Sequence, residues 1–388
     1  MIVVGLISGT SYDGIDCSVG EMEIDGDLIL LHPILTFTQP YPSEVYALID
    51  STMPPAATGF KEVCQLDTLI GEAFADVALA AILKTGLEPD LIVSHGQTMY
   101  HWISEDGKAL GTLQIGDASR IAERTGVATL SQLRSRDVAA GGQGAPFASL
   151  IDDFLLRDHG SVSAALNLGG ISNVTVVSPD DPTIAFDIGP ANALIDAAVR
   201  IYTDGKENFD NGGAYGAQGV INHEFLENLL QEPYYKMSNP KSTGKELFNK
   251  DYLNWKLKEF PDISMLDVIA TLTALTAQTV ANEINRLSVK SVYVSGGGIH
   301  NHTLMRSLRK LSPGVSYNLY EELGLSSDGK EAYLFALIGF LSLNNISGNI
   351  PSSTGAIGPR IMGSLWPGEL GFPKIETGTV TKPSLKII

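Results

Sequence analysis

Apolar runs and helically spaced apolar positions alternate along this chain. Met1–Ile7 is an apolar, β-branched run. It is followed by the polar stretch Ser8–Asp16, SGTSYDGID, and then by another apolar segment. The pattern predicts strand, tight turn, strand. Lys61–Lys84 places Val63, Leu66, Leu69, Ile70, Phe74 and Val77 at helical spacing and stops at Thr85-Gly86, and Leu91–Ser94 then reads as a buried strand. Asp137–Leu156 opens glycine-rich and turns helical through Phe147, Leu150, Ile151 and Phe154. Ser163–Asn167 and Val174–Val177 read as strands around the turn LGGISN. Gly189-Pro190 precedes a predicted helix at Ala191–Ile201, with Pro190 placed in its first turn. Leu266–Leu287 predicts a long helix, Val292–Ser295 a strand running into Gly296-Gly297-Gly298, and Gly329–Leu343 an apolar helix. Thr203–Gly219 is expected to be a glycine-rich loop. Such alternation predicts an α/β protein.

One internal echo sharpens the picture. Ile7–Val19 and Leu166–Val177 are both strand, Gly/Ser-rich turn, strand, and each opens roughly one half of the chain. The pattern predicts two similar α/β domains facing one another across a cleft, with a triphosphate held between the hairpins, as in the actin–hexokinase–Hsp70 architecture. Gly9 and Gly14 let the first turn bend and come close to a ligand. Thr10 and Ser11 offer hydroxyls, and Asp13 and Asp16 are candidate ligands of a divalent cation. An ordinary polar hairpin is the competing reading of the same residues.

Composition narrows the function. At 388 residues with 44% apolar content, the chain predicts two domains, each with its own core. The balance of 26 basic against 44 acidic residues, net −18, argues against nucleic acid and anionic membrane surfaces as partners. Any anionic substrate therefore needs a locally positive pocket or a metal ion. Cys17 and Cys64 support neither a disulfide framework nor a zinc site. No basic leader precedes Ile2, and the longest apolar run, near Ala332–Leu343, is too short to span a bilayer. A soluble cytoplasmic protein is the expectation. Lys241–Glu246 looks like a fragment of a P-loop but lacks its first glycine and its Ser/Thr, and no G-x-G-x-x-G occurs. Gly296, Gly297 and Gly298 would let an adenine ring or α-phosphate lie against the backbone, or they form a tight turn with no ligand.

Ten segments taken in order resemble the anhydro-N-acetylmuramic acid kinase family of the actin–hexokinase–Hsp70 superfamily. They are SGTSYDGID at 8–16, SHGQT at 94–98 with His101, TLQIGDAS at 112–119 and RSRDVAAGGQGAPF at 134–147. LNLGGISN at 166–173, FDIGPANALID at 186–196 and PKSTGKELF at 240–248 continue the series. VSGGGIHN at 294–301, GLSSDGKEA at 324–332 and PSSTGA at 351–356 complete it. Against the family pattern, Tyr12 replaces a smaller aliphatic residue, Ile188 a Thr, Ala191 a Gly and Lys245 an Arg. The resemblance implies a duplicated RNase H-like, actin/hexokinase-like fold with a central ATP and substrate cleft. The domains would be residues 1–136 plus 345–388, and residues 137–344.

The resemblance also implies a reaction that joins hydrolysis to phosphorylation. Water adds at C1 of 1,6-anhydro-N-acetylmuramic acid, the C1–O6 bond breaks, and O6 takes the γ-phosphoryl of ATP. Attack on an acetal carbon opposite its leaving oxygen needs a carboxylate base, as in inverting glycosidases. The family's base falls on Asp187, kept ionised by an adjacent cation or backbone N–H groups. Gly9, Thr10, Ser11, Tyr12, Asp13, Gly14, Ile15 and Asp16 are assigned to the ATP phosphates, Gly169 and Gly170 to the second hairpin's share, and Gly296–Gly298 to adenosine. Mg²⁺ bridges the phosphates through Asp13 or Asp16. Arg136 is placed on the sugar's lactyl carboxylate or a phosphate, with a structural salt bridge to Asp137 or another acid as the alternative. Glu331, Gln97 and Thr98 are placed on the sugar, while His95 and His101 are read as core or hydrogen-bonding residues. A cytoplasmic homodimer acting in cell-wall recycling is the expected setting. The rival readings are a kinase for another sugar, and a non-enzymatic ATP-dependent switch on the same fold.

Overall fold

The computed structural model describes residues 1–9, 11–53, 56–239, 241–244, 246–374 and 383–388. Thr10 and Lys245, both singled out above, lie outside the described residues. The chain divides into two compact units, Met1–Leu155 with Gly324–Ile388, and Leu156–Leu323.

The first unit opens with β1 (Ile2–Ser8), β2 (Ile15–Asp25) and β3 (Leu28–Gln39). Helices α1 (Ser43–Thr52) and α2 (Phe60–Thr85) follow, then β4 (Leu91–Ile103) and β5 (Ala109–Ile115). Next come α3 (Ala118–Thr125), β6 (Thr129–Ser131), α4 (Ser135–Ala139) and α5 (Ala148–Leu156). The second unit contains β7 (Ser163–Leu168), β8 (Ile171–Val177), β9 (Ile184–Pro190), α6 (Asn192–Tyr202) and α7 (His223–Leu230). It continues with α8 (Lys250–Leu257), α9 (Met265–Arg286), β10 (Ser291–Ser295), α10 (His302–Leu311) and β11 (Ser316–Leu319). The chain then returns to the first unit with α11 (Lys330–Leu343), α12 (Pro351–Thr354), β12 (Ser364–Trp366) and β13 (Ser384–Ile387).

The two units repeat one topology. In the first sheet β3, β2, β1, β4 and β6 lie side by side, with β1–β2–β3 antiparallel and β4 and β6 parallel to β1. In the second sheet β9, β8, β7, β10 and β11 lie in the same order, again antiparallel through the first three strands and parallel through the rest. This 3-2-1-4-5 arrangement is the duplicated RNase H-like fold that the family resemblance implies, and the repeat is the one the hairpin echo predicts.

Packing explains the domain boundaries, which fall at 155/156 and 323/324 rather than at 136/137 and 344/345. Helix α11 is buried along nearly its whole length, as its all-round apolar sequence requires. It seats on the first sheet because Gly5 has no side chain: a Cβ there would lie 2.0 Å from the Ala332 carbonyl oxygen. The Tyr333 hydroxyl then donates to the carbonyls of Val19 and Leu35, each at 3.2 Å. The segment after Arg136 also belongs to this unit. Asp137 is wholly buried and accepts from the side chains of Asn349 and Thr354, both at 2.8 Å, and from the Gly144 N–H at 2.9 Å. Lys330 pairs with buried Asp152 at 2.7 Å. Among the described residues, no helix is long and apolar enough to cross a membrane.

Candidate active site

The first hairpin is built by its own turn. The Ser8 hydroxyl donates to the Gly14 carbonyl at 2.8 Å, and the Tyr12 N–H closes onto the Gly9 carbonyl at 3.1 Å. The Gln97 amide reaches across from β4 to donate to the same Gly9 carbonyl at 3.0 Å, while its oxygen accepts from Tyr41 at 3.3 Å. Gln97 and Thr98 are both buried. Sequence reasoning placed Gln97 on sugar hydroxyls and missed its brace on the first hairpin, a partnership separated by 88 positions.

The two hairpin glycines differ. A Cβ at Gly14 would meet Thr38 Cγ2 at 2.8 Å and the Gln39 carbonyl at 3.0 Å, whereas one at Gly9 would find nothing closer than Ser11 Oγ at 3.8 Å. Tyr12 occupies left-handed backbone at φ 42°. Its hydroxyl donates to Asp50 of α1 at 2.9 Å, and its ring lies 5.5 Å from that of Tyr46. The larger side chain at this position is thus engaged with α1. Ile15 was included among the phosphate-binding residues, but its side chain lies in the core beside Leu6 and Val19. Only its backbone is available to a ligand.

Asp16 is half-buried, accepts from the Thr38 hydroxyl, and pairs in the ladder with Thr38. Its pKa is pushed up, first by burial and then by the nearby carboxylates of Asp13 and Asp328, against the Thr38 bond that lowers it. Ser11 donates to Asp13 at 3.1 Å. A carboxylate surrounded by other carboxylates is the donor set that a hard divalent cation relieves, so Asp13 and Asp16 fit Mg²⁺. Among the described residues, no group of three or more His, Cys, Asp or Glu forms a metal cage on its own.

Two residues apart, the arginines of RSR take different roles. Arg134 is the enclosed one: its Nε donates to His95 Nε2 at 2.7 Å and a terminal N–H to the Gly144 carbonyl at 2.6 Å. His95 is buried, with Nδ1 3.0 Å from the Gly96 carbonyl, and burial with the neighbouring guanidinium pushes its pKa well down. The neutral ring with its proton on Nδ1 satisfies both contacts. Arg136 is exposed, and the alternative salt bridge to Asp137 is not formed, since that carboxylate is used by Asn349, Thr354 and Gly144. Glu331 is exposed in the first turn of α11. His101 is half-buried with its pKa lowered by burial.

In the second unit the Gly169-Gly170 turn is fastened to the start of α6. Asn192 donates its side-chain amide to the Leu168 and Gly169 carbonyls at 2.9 and 2.8 Å, and the Ala191 and Ala193 N–H groups donate to Gly170. The three later glycines divide. Cβ atoms at Gly296 and Gly298 would collide with Leu168 and its neighbours, so β7 itself requires those glycines. Gly297 is exposed with open space where a Cβ would stand, and it alone is left for a ligand to require.

Asp187 is held at its N–H, at its carbonyl and at one carboxylate oxygen. It sits on β9, half-buried, opposite Asn173. Its N–H donates to the Lys241 carbonyl at 3.0 Å and its carbonyl accepts from the Tyr234 hydroxyl at 2.7 Å. Oδ2 accepts from the Ser242 hydroxyl at 2.8 Å and from the Thr243 N–H at 2.9 Å, while Oδ1 has no hydrogen bond among the described residues. Burial pushes its pKa up, Thr243 and Ser242 pull it back, and Glu246 adds a smaller upward push. The expected charge-stabilising partner is thus a backbone N–H with a hydroxyl. The segment that supplies them, Lys241–Gly244, is the fragment that resembles a P-loop, and it acts here on a carboxylate.

These site residues lie within a family-wide match. The model of the family described as "Anhydro-N-acetylmuramic acid kinase" matches residues 1–368. A Rhodococcus erythropolis protein of that name is 49% identical over 395 residues, covering 100% of this chain and 99% of the relative. A Streptomyces coelicolor protein of the same name is 48% identical, covering 95% and 94%, and one from Caldanaerobacter subterraneus is 41% identical, covering 94% and 96%. Among solved structures, a ROK family glucokinase from Streptomyces griseus in complex with glucose and AMPPNP aligns at a TM-score of 0.35 and 10% identity, over 86% of this chain and 99% of that one. The chain belongs to the anhydro-N-acetylmuramic acid kinase family.

Proposed function

We infer that this chain is an ATP-dependent kinase that opens 1,6-anhydro-N-acetylmuramic acid with water and phosphorylates O6. The products are N-acetylmuramic acid 6-phosphate and ADP, and the activity belongs to peptidoglycan recycling. Asp187 takes a proton from the water that attacks C1. The C1–O6 bond breaks, and the electron pair left on O6 attacks the γ-phosphorus, so ADP departs as O6 becomes esterified. The phosphoryl group accepts the charge that a second carboxylic acid would otherwise neutralise, and one carboxylate suffices.

In the first unit, Gly9 and Ser11–Asp16 receive ATP phosphates, Thr98, Arg136 and Glu331 serve the sugar, and Gln97 braces the hairpin. In the second unit, Gly169 and Gly170 serve phosphate and Gly297 adenosine. Asp13 and Asp16 would hold Mg²⁺, which neutralises phosphate charge when bound. What supports the reading most is Asp187: one oxygen is pinned and the other carries no hydrogen bond among the described residues, on a residue inside the family motif FDIGPANALID. A cytoplasmic homodimer is part of the same reading, and light scattering of the purified chain tests the dimer. The net charge of −18 speaks against nucleic acid as a partner.

The deciding experiment measures ADP release with and without the anhydro sugar, with mass analysis of the product formed in ¹⁸O-water. Sugar-dependent ADP and one labelled oxygen at C1 are expected. Phosphorylation without label would mean a kinase for an open sugar, and ATP binding without sugar-dependent ADP a switch.

A further inference from the structure

The segment Lys241–Thr243 has no helix or strand of its own, yet it touches Asp187 at the N–H and the carboxylate, while Tyr234 holds the carbonyl. The segment is anchored from below. The Lys241 amine is buried 3.4 Å from the carbonyls of both Tyr234 and Tyr235 and 4.9 Å from the centre of the Tyr234 ring. Tyr234 and Tyr235 in turn pack on Phe248, which is wholly buried. A rigid aromatic base therefore carries an irregular strap, and the strap ends on one oxygen of one carboxylate.

We propose that Ser242 is a positioning residue for water activation: with the Thr243 N–H it pins Oδ2 of Asp187 and leaves Oδ1 as the oxygen that takes the proton. A carboxylate free to rotate spends much of its time with neither oxygen aligned on the attacking water. Two donors on one oxygen remove that freedom and favour the ionised form. They oppose the upward push on the pKa from burial and from Glu246. The other polar groups against this site act elsewhere, the Tyr234 hydroxyl on the backbone carbonyl and the Lys241 amine on Tyr234 and Tyr235. Ser242 is exposed, so removing its hydroxyl leaves no cavity.

This inference rests on Asp187 being the base, and the test separates the two. The acid limb of kcat/KM for sugar-dependent ADP release is measured on the full chain for wild type, Ser242→Ala, Ser242→Thr, Tyr234→Phe and Asp187→Asn. Losing a donor that favours the ionised form raises the pKa, so Ser242→Ala should shift the acid limb upward by about 1 pH unit. Ser242→Thr, which keeps the hydroxyl, should leave the limb at the wild-type position, and Tyr234→Phe should lower the plateau without moving it. An unmoved limb in Ser242→Ala, with or without a lower plateau, overturns the proposal, as does an equal shift in Tyr234→Phe. If Asp187→Asn keeps both activity and limb, the assignment of the base itself fails. ATP-analogue binding by calorimetry checks that each variant is folded. Should Ser242→Ala not fold, Ser242→Cys, a weaker donor, carries the same test with a smaller upward shift.

Discussion

Two glycines five residues apart in one hairpin should fail in different ways when replaced by alanine. At Gly14 the new Cβ would stand 2.8 Å from Thr38 Cγ2 and 3.0 Å from the Gln39 carbonyl, so β3 must move. Overpacking of that kind costs about 1–3 kcal/mol, which lowers Tm by about 2–4 °C per kcal/mol for a unit of this size. At Gly9 the nearest atom would be 3.8 Å away, and the backbone is not left-handed, so the free protein loses nothing. It gains up to about 1 kcal/mol from the stiffer unfolded chain. If the peptide at Gly9 lies against ATP phosphate, however, a methyl group holds it off and one or two charge-assisted hydrogen bonds are lost, at roughly 1.5–3 kcal/mol each. A single lost bond already corresponds to a weakening of about 10- to 150-fold. Calorimetric titration with a non-hydrolysable ATP analogue and Mg²⁺, beside thermal unfolding of both variants, separates the outcomes. Gly9→Ala should bind poorly and melt normally. Wild-type affinity in Gly9→Ala would show that this turn does not approach phosphate. A melting loss equal to that of Gly14→Ala would show that the steric argument is wrong.

Asp187→Asn should cut turnover by about 10²–10⁴-fold while the ATP analogue still binds, and near-normal turnover would remove Asp187 from the mechanism. Asp137→Ala strands donors from Asn349, Thr354 and Gly144 in a buried site, and should lower the urea-unfolding free energy by about 3–5 kcal/mol; a loss below about 1 kcal/mol would mean that the network contributes little. His95 is held neutral in the folded chain but titrates near its ordinary value once unfolded, so the unfolded state gains a proton first. Its stability is complete above roughly pH 6.5 and declines as pH falls below that. His95→Gln should flatten the fall by about one proton's worth, up to about 1.4 kcal/mol per pH unit, and an unchanged slope in denaturant titrations refutes the account.

Elements that bury an unbroken apolar pattern were legible in the chain. The expected helices at Leu266–Leu287 and Gly329–Leu343 stand at Met265–Arg286 and Lys330–Leu343, and the helix expected to stop at Thr85-Gly86 stops there, with Gly86 left-handed at φ 67°. Elements outside the core were not. Strand β4 runs to Ile103 rather than Ser94, because its far half pairs with β5 and carries exposed Tyr100 and Trp102, which give no burial signal. Strand β3 was hidden by Pro33, which sits at the register shift between Val19 and Gly20 of β2, where a missing N–H is tolerated. Pro190 was expected in a first helical turn. It ends β9 instead, an edge strand paired only on the β8 side, and α6 begins at Asn192. Within the candidate site, the turn between β1 and β2 was legible because its pattern is local. The brace from Gln97 to Gly9 and the choice of Arg134 over Arg136 as the enclosed guanidinium were not, because both depend on partners far along the chain.

The repeat between the two units runs deeper than the hairpins that first suggested it. In the first unit Ile7, Asp16 and Thr38 stand side by side across β1, β2 and β3. In the second, Asn167, Asn173 and Asp187 stand side by side across β7, β8 and β9. Each row lies near its strand-turn-strand hairpin, and each carries a carboxylate supported by a hydroxyl: Asp16 by Thr38, and Asp187 by Ser242. The strand that bears the carboxylate has changed, from the second to the third. So has its surroundings. Asp16 has Asp13 and Asp328 for neighbours and nothing positive among the causes that set its pKa, a setting that suits a cation. Asp187 has a neutral N–H and a hydroxyl on one oxygen, a setting that suits a proton. The two rows occupy one place in the repeated strand order at positions that are not equivalent, and the neighbours of each carboxylate set what it suits: carboxylates around Asp16 suit a cation, while an N–H and a hydroxyl on one oxygen of Asp187 suit a proton on the other.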